Sequence, residues 1–169
     1  MANDKIITTF KNKIIEQLQQ DEAIVNSLDI NENEDKEDLT YVRLFPYYYI
    51  IPTQEDAKTY IFVEIGVEAV QDRFNTFKND IVYDKCIVYI YVVAHQSVMR
   101  METAGQSAVR IDYISQLINK KFNGKHIAGI GTLQRVSNMP RSLNDTYRQR
   151  EIIFEVLDFN KEMCDSNGS

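Results

Sequence analysis

The run from Ile81 to His95 constrains the chain more than any other stretch. Cys86, Val88, Ile90, Val92 and Ala94 alternate with Lys85, Ile87, Tyr89, Tyr91 and Val93, so both sets of a period-two pattern are largely apolar. A strand that is apolar on both faces needs cover on both, which predicts a central place in a sheet. Thr59–Glu68 alternates more cleanly, with Ile61, Val63, Ile65 and Val67 set against Tyr60, Phe62, Glu64, Gly66 and Glu68. It reads as a neighbouring strand. Gly131–Asn138 and Gln149–Asn160 are two further strand candidates, the second alternating Ile153, Glu155, Leu157 and Phe159 with Ile152, Phe154, Val156 and Asp158.

Two segments carry a helical period instead. In residues 4–20, Ile7, Phe10, Ile14 and Leu18 share one face, and Asn3 or Asp4 is placed to cap the start. In residues 103–122, Ala104, Ala108, Ile111, Ile118 and Phe122 form a stripe with Ile114 and Leu117 beside it. Thr103 is the cap this spacing suggests, and Asn123-Gly124 is a C-terminal stop. Asp21 can cap a short turn through Ile24, Val25 and Leu28. The order helix, long loop, strands, helix, strands predicts an α+β fold. It should be a mixed or antiparallel sheet of about four to five strands, with two main helices packed on one face. A chain of 169 residues fits one domain, expected over 1–160, with a frayed polar tail over 161–169.

Asn31–Asp38 has no apolar member and five acids, so residues 31–40 are expected to be a mobile acidic loop. A binding loop is the other reading. Leu44-Phe45-Pro46-Tyr47-Tyr48-Tyr49-Ile50-Ile51-Pro52 is apolar and aromatic but carries two prolines. Proline removes a ladder donor and keeps its predecessor extended, so this is an edge segment or a packed loop rather than a central strand. Val70–Asp80, with Phe74 and Phe77, reads as an extended hairpin arm. Ten tyrosines, several of them clustered, suit either an interface or half-buried strand positions.

A net charge of −6 argues against general nucleic-acid binding, which needs a basic face to release counterions. Lys120, Lys121, Lys125, Arg141, Arg148 and Arg150 are local basic spots, read as solvated surface or as the lining of a pore. Cys86 lies in an apolar run and Cys164 in a polar tail, so they make no disulfide framework. The first residues lack a signal-peptide core, and no segment approaches the ~18 apolar residues of a membrane span. A reducing cytoplasm is the expected place of synthesis. His95 and His126 stand apart without the local ligand pairs zinc requires, and no nucleophile elbow accompanies His95. Gly129-Ile130-Gly131 follows a helix and precedes a strand, the reverse of a phosphate loop, and reads as a turn. Asp112 is read as a cap or ion-pair partner. No catalytic, cofactor-binding or metal-ligating residue is therefore expected, and the chain is not expected to be an enzyme.

Several segments nonetheless carry a likeness. Arg43–Thr53 followed by the strand at 59–67, Val93-Ala94-His95 followed by a polar loop and Arg110-Ile111-Asp112, and Tyr147-Arg148-Gln149-Arg150-Glu151 resemble parts of small neck and tail-completion proteins of long-tailed bacteriophages. Within that group the chain is most similar to tail terminator or head–tail joining proteins. The resemblance implies a virion structural protein, made in the host cytoplasm. It implies a ring, commonly a hexamer, that ends the tail tube and meets the head connector, with DNA passing through without specific binding. It implies no cofactor, membrane or small-molecule substrate. A ring subunit needs two unlike faces. The expected interface residues are Phe45, Tyr47, Tyr48 and Tyr49, the arm residues Phe74 and Phe77, His95, Met99 and Met101 on the following loop, and Arg148. Two other classes stay open: a cytoplasmic adaptor or inhibitor binding one protein partner, and an enzyme built on His95 and nearby acids.

Overall fold

The computed structural model describes residues 2–36, 38–49, 51, 57–70 and 82–159. In chain order these form α1 (Ala2–Gln19), α2 (Glu22–Asn26), β1 (Leu44–Phe45), β2 (Thr59–Val70) and β3 (Val82–His95). A single 3₁₀ turn, Gln96–Val98, leads to β4 (Arg100–Thr103), β5 (Gln106–Val109) and α3 (Arg110–Phe122). The last strands are β6 (Lys125–Ile127), β7 (Gly131–Ser142) and β8 (Tyr147–Val156). The arm expected at 70–80, with Phe74 and Phe77, and the tail at 161–169 lie outside the described residues, except for Val70 at the end of β2.

The α+β class and the mixed sheet stand. Six strands lie in the order β1-β2-β3-β8-β7-β6, with β1 parallel to β2 and every other neighbour antiparallel. The count exceeds the four to five expected because β1 and β6 are two and three residues long. Strands that short show no period of their own. β3 is central, as its two apolar faces require, and pairs with β2 from Thr59↔Ala94 to Val70↔Val82.

All three helices pack on one face of the sheet. Ile14 and Leu18 of α1, Ile24 of α2, and Ile114, Ile118 and Phe122 of α3 close over Ile61, Val63, Val88, Ile90, Val92, Ile152 and Phe154. Phe122 meets Phe154 edge-on at 6.2 Å, and Phe10 meets Phe159 at 5.9 Å. Asp21 caps α2 as expected, accepting from the Ile24 N–H at 3.2 Å. α1 begins at Ala2, which places Asn3 and Asp4 inside its first turn rather than at the cap.

The helix expected from residue 103 starts at Arg110 instead. Ala104 and Ala108 share the helical stripe only by coincidence of spacing. Ala104 (φ 49°) and Gly105 (φ 75°) are both left-handed and turn a tight hairpin, pairing Thr103 with Gln106 and Met101 with Ala108. Thr103 is thus a strand residue, and Val109 precedes α3 without a side-chain cap. β7 runs past the expected end at Asn138 through Pro140, while β8 spans Tyr147–Val156 and stops short of Asn160.

Candidate interaction surface

The proline-bracketed segment folds back on its own sheet. Phe45 is 5% exposed and stacks on Tyr49 at 4.6 Å with the rings nearly parallel. It also meets Phe62 at 5.8 Å, and Tyr48 meets Phe62 and Tyr91 at 5.1 Å each. These rings form a second, aromatic cluster with Tyr60, Val93 and Tyr147 on the face opposite the helices. Two polar contacts lock it. The Tyr48 N–H donates to Glu64 Oε1 at 2.9 Å, and the Tyr48 hydroxyl donates to Gln149 Oε1 at 2.6 Å. Burial, then the charge of Glu151, raises the Tyr48 phenol and pushes Tyr91 up to about 12, so both hydroxyls remain protonated donors near neutrality.

Arg43, fully buried, fastens the start of this segment to the acidic run. Its Nη2 lies 2.6 Å from Glu34 Oε2, and its Nη1 and Nη2 donate to the carbonyls of Thr59 and Asp29 at 3.2 Å each. Burial alone would raise the Glu34 carboxyl. The Arg43 hydrogen bond, the Asn31 N–H, and the charges of Arg43 and Lys58 outweigh it and hold Glu34 below its ordinary value. The run expected as a mobile loop is therefore anchored at Glu34, and Leu39 beyond it is buried in the main core.

What remains exposed is different from the expected set. Tyr41 (61% exposed), Val42 and Tyr47 make one apolar patch beside β1. Tyr41 sits in the left-handed region (φ 62°), at a cost of about 1 kcal/mol for a side-chain-bearing residue, and its ring lies 6.3 Å from Tyr47. Behind this patch an open groove of about 730 Å³ runs between α1, which offers Asn12, Glu16 and Gln19, and the side chains of Lys36, Thr40 and Tyr41. Val136 (63% exposed), Met139 and Leu143 are large apolar side chains exposed along β7 and its exit, a second apolar stretch.

Of the residues expected at an interface, Phe45 is spent inside its own chain, Tyr48 and Tyr49 are half-buried, and Tyr47 alone of that group is exposed. Met99 packs against the main core, and Met101 sits half-buried on the β4–β5 hairpin. Arg148 is exposed at the base of the β7–β8 hairpin, donating to Ser142 Oγ and the Asn144 carbonyl. His95 ends β3 and its ring lies edge-on to Tyr147 at 5.2 Å. Its Nδ1 accepts from the Ser97 N–H at 3.1 Å, capping the 3₁₀ turn.

His126 lies 3.6 Å from Asp158, and Asp112 pairs with Arg150 at 2.7 Å. Burial pushes the Cys86 thiol up to about 12, which leaves it un-ionised and unreactive. Among the described residues no three His, Cys, Asp or Glu side chains gather as a metal site would require. No described helix is long and apolar enough to cross a membrane.

No curated protein matches the chain. The family model described as YomW matches residues 3–156.

Proposed function

We propose, for a chain that belongs to the YomW family, a structural role: a subunit of a ring at the neck or tail end of a bacteriophage particle, meeting the tail tube on one side and the head connector on the other. The observation that carries this reading is the pair of unlike exposed apolar stretches, Tyr41/Val42/Tyr47 and Val136/Met139/Leu143, on opposite sides of one sheet. A closed ring of more than two copies needs two different faces that fit each other. Exposed aromatic and Met side chains are what such contacts favour. The net charge of −6 suits a conduit along which DNA slides without being gripped. Native mass spectrometry of the purified chain should give a closed oligomer, with six copies the number the resemblance to tail terminator proteins suggests. Proteomics of purified particles should recover the chain. A strict monomer that is absent from particles would overturn the role.

The groove between α1 and Lys36, Thr40 and Tyr41 favours a second reading, an adaptor or inhibitor that seats a segment of one protein partner there. Capture of one soluble partner by a chain that is monomeric and missing from particles would select it.

A further inference from the structure

Phe45, beside the first patch, and Met139, in the middle of the second stretch, sit at the same level of the sheet. Phe45 pairs with Phe62, Phe62 with Tyr91, Tyr91 with Glu151, and Glu151 with Met139. One row of backbone partners thus crosses from the Tyr41/Tyr47 edge to the Val136/Met139 edge without a step along the strands. β6 covers β7 only from Gly131 to Leu133, so the apolar stretch on β7 lies on the far edge itself. The flanking charges differ in sign. Asn31–Asp38 holds five acids and one lysine, with Glu34 paired to Arg43, whereas Gln134–Glu151 holds four arginines and two acids, with Arg141 paired to Glu151 and Arg150 to Asp112. Glu32 and Asp38 are exposed on the first side, Arg135 and Arg148 on the second.

Resting on the ring reading above, we propose that the partner of each stretch is the other stretch of a second copy of this chain. The aromatic, acidic β1 edge of one copy meets the apolar, basic β7 edge of the next. Two edges at one level bring successive copies together by rotation with little rise, and a heterologous contact with no rise closes a ring rather than extending a filament. The contact is made by side chains and not by a shared strand ladder. β7 carries a register shift between Arg135 and Ser137, and Pro140 lacks a donor, two devices that stop a strand edge from pairing. Opposed charge around a small apolar centre gives such a contact its orientation.

Charge reversal tests this on the full chain. Arg135→Glu with Arg148→Glu should weaken self-association at least about tenfold, and Glu32→Lys with Asp38→Lys should do the same. An equimolar mixture of the two variants should recover assembly, since each intact edge meets an intact edge and each reversed edge a reversed one. Native mass spectrometry reads the oligomers, and unchanged thermal melting of each variant shows that the fold is intact. A wild-type ring that persists through both reversals, or a mixture that does not recover, overturns this contact and leaves the ring reading standing. A wild-type chain that stays monomeric overturns both.

Discussion

On one face of the sheet, regular helices bring Ile14, Leu18, Ile114 and Ile118 down onto β2, β3 and β8; on the other, an irregular stretch lays Phe45, Tyr48 and Tyr49 over Tyr60, Phe62 and Tyr91. The first cover is aliphatic and its backbone satisfies itself through helix hydrogen bonds. The second has little backbone order of its own, because β1 is only two residues long. It is held by ring stacking, by Glu64 and Gln149, which accept from the Tyr48 N–H and hydroxyl, and at its start by Arg43, which donates to Thr59 and Glu34. A loop can therefore serve as one wall of a core when large rigid rings replace the area a helix would bury.

Four substitutions would break or sharpen this contrast. Phe154→Ala, between α3 and the sheet, should cost about 4 kcal/mol in chemical denaturation and lower the single transition as a whole. Phe45→Ala should cost about 3 kcal/mol and strip near-ultraviolet circular dichroism while leaving the far-ultraviolet signal of the helices. A loss below about 1 kcal/mol would mean that the aromatic layer lies outside the cooperative core. Glu34→Gln should cost about 2 kcal/mol at neutral pH by weakening the charge-assisted bond to Arg43. Because the Glu34 carboxyl is held below 4.5 when folded, its contribution is complete above that pH and drains away as pH falls through the lower folded value. Asp158, held low by the Thr132 N–H, acts in the same direction. Melting curves from neutral pH downward should show the wild type losing stability below about 4.5 more steeply than Glu34→Gln. Tyr48→Phe should have the smallest effect, about 1 kcal/mol, for the lost bond to Gln149.

The helix-covered face was legible because its residues repeat. Ile61, Val63 and Ile65 point one way and Tyr60 and Phe62 the other, as the alternation requires, and Ile14 and Leu18 fall on one side of α1. The aromatic face was legible only in composition. Pro46 and the tyrosines identified an edge segment or packed loop, but which ring turns inward depends on Phe45 meeting Tyr49 and Phe62, contacts that no spacing encodes. The patch at Tyr41 and Val42 was hidden for a related reason. A left-handed tyrosine is set by the turn that Arg43 and Leu39 impose, the Arg43 N–H and Leu44 N–H both donating to the Leu39 carbonyl. The start of α3 was misread because Ala104 and Ala108 fit a helix by spacing, while the turn-forming tendency of Ala104-Gly105 decided the outcome. No clean alternation marks Val136 and Met139, because β7 changes register between Arg135 and Ser137.

The two fastenings of the aromatic cover differ in how far apart along the chain their partners lie. Arg43 reaches Glu34, Asp29 and Thr59, which are 9, 14 and 16 residues away, whereas Tyr48 and Gln149 are separated by 101. Short loops close at small entropic cost and long ones only after much of the chain is in place. During synthesis the knot around Arg43 can tie itself as soon as β2 begins to emerge. The last clasp waits for β8, so the Tyr48 hydroxyl goes without its Gln149 partner until that strand has been made.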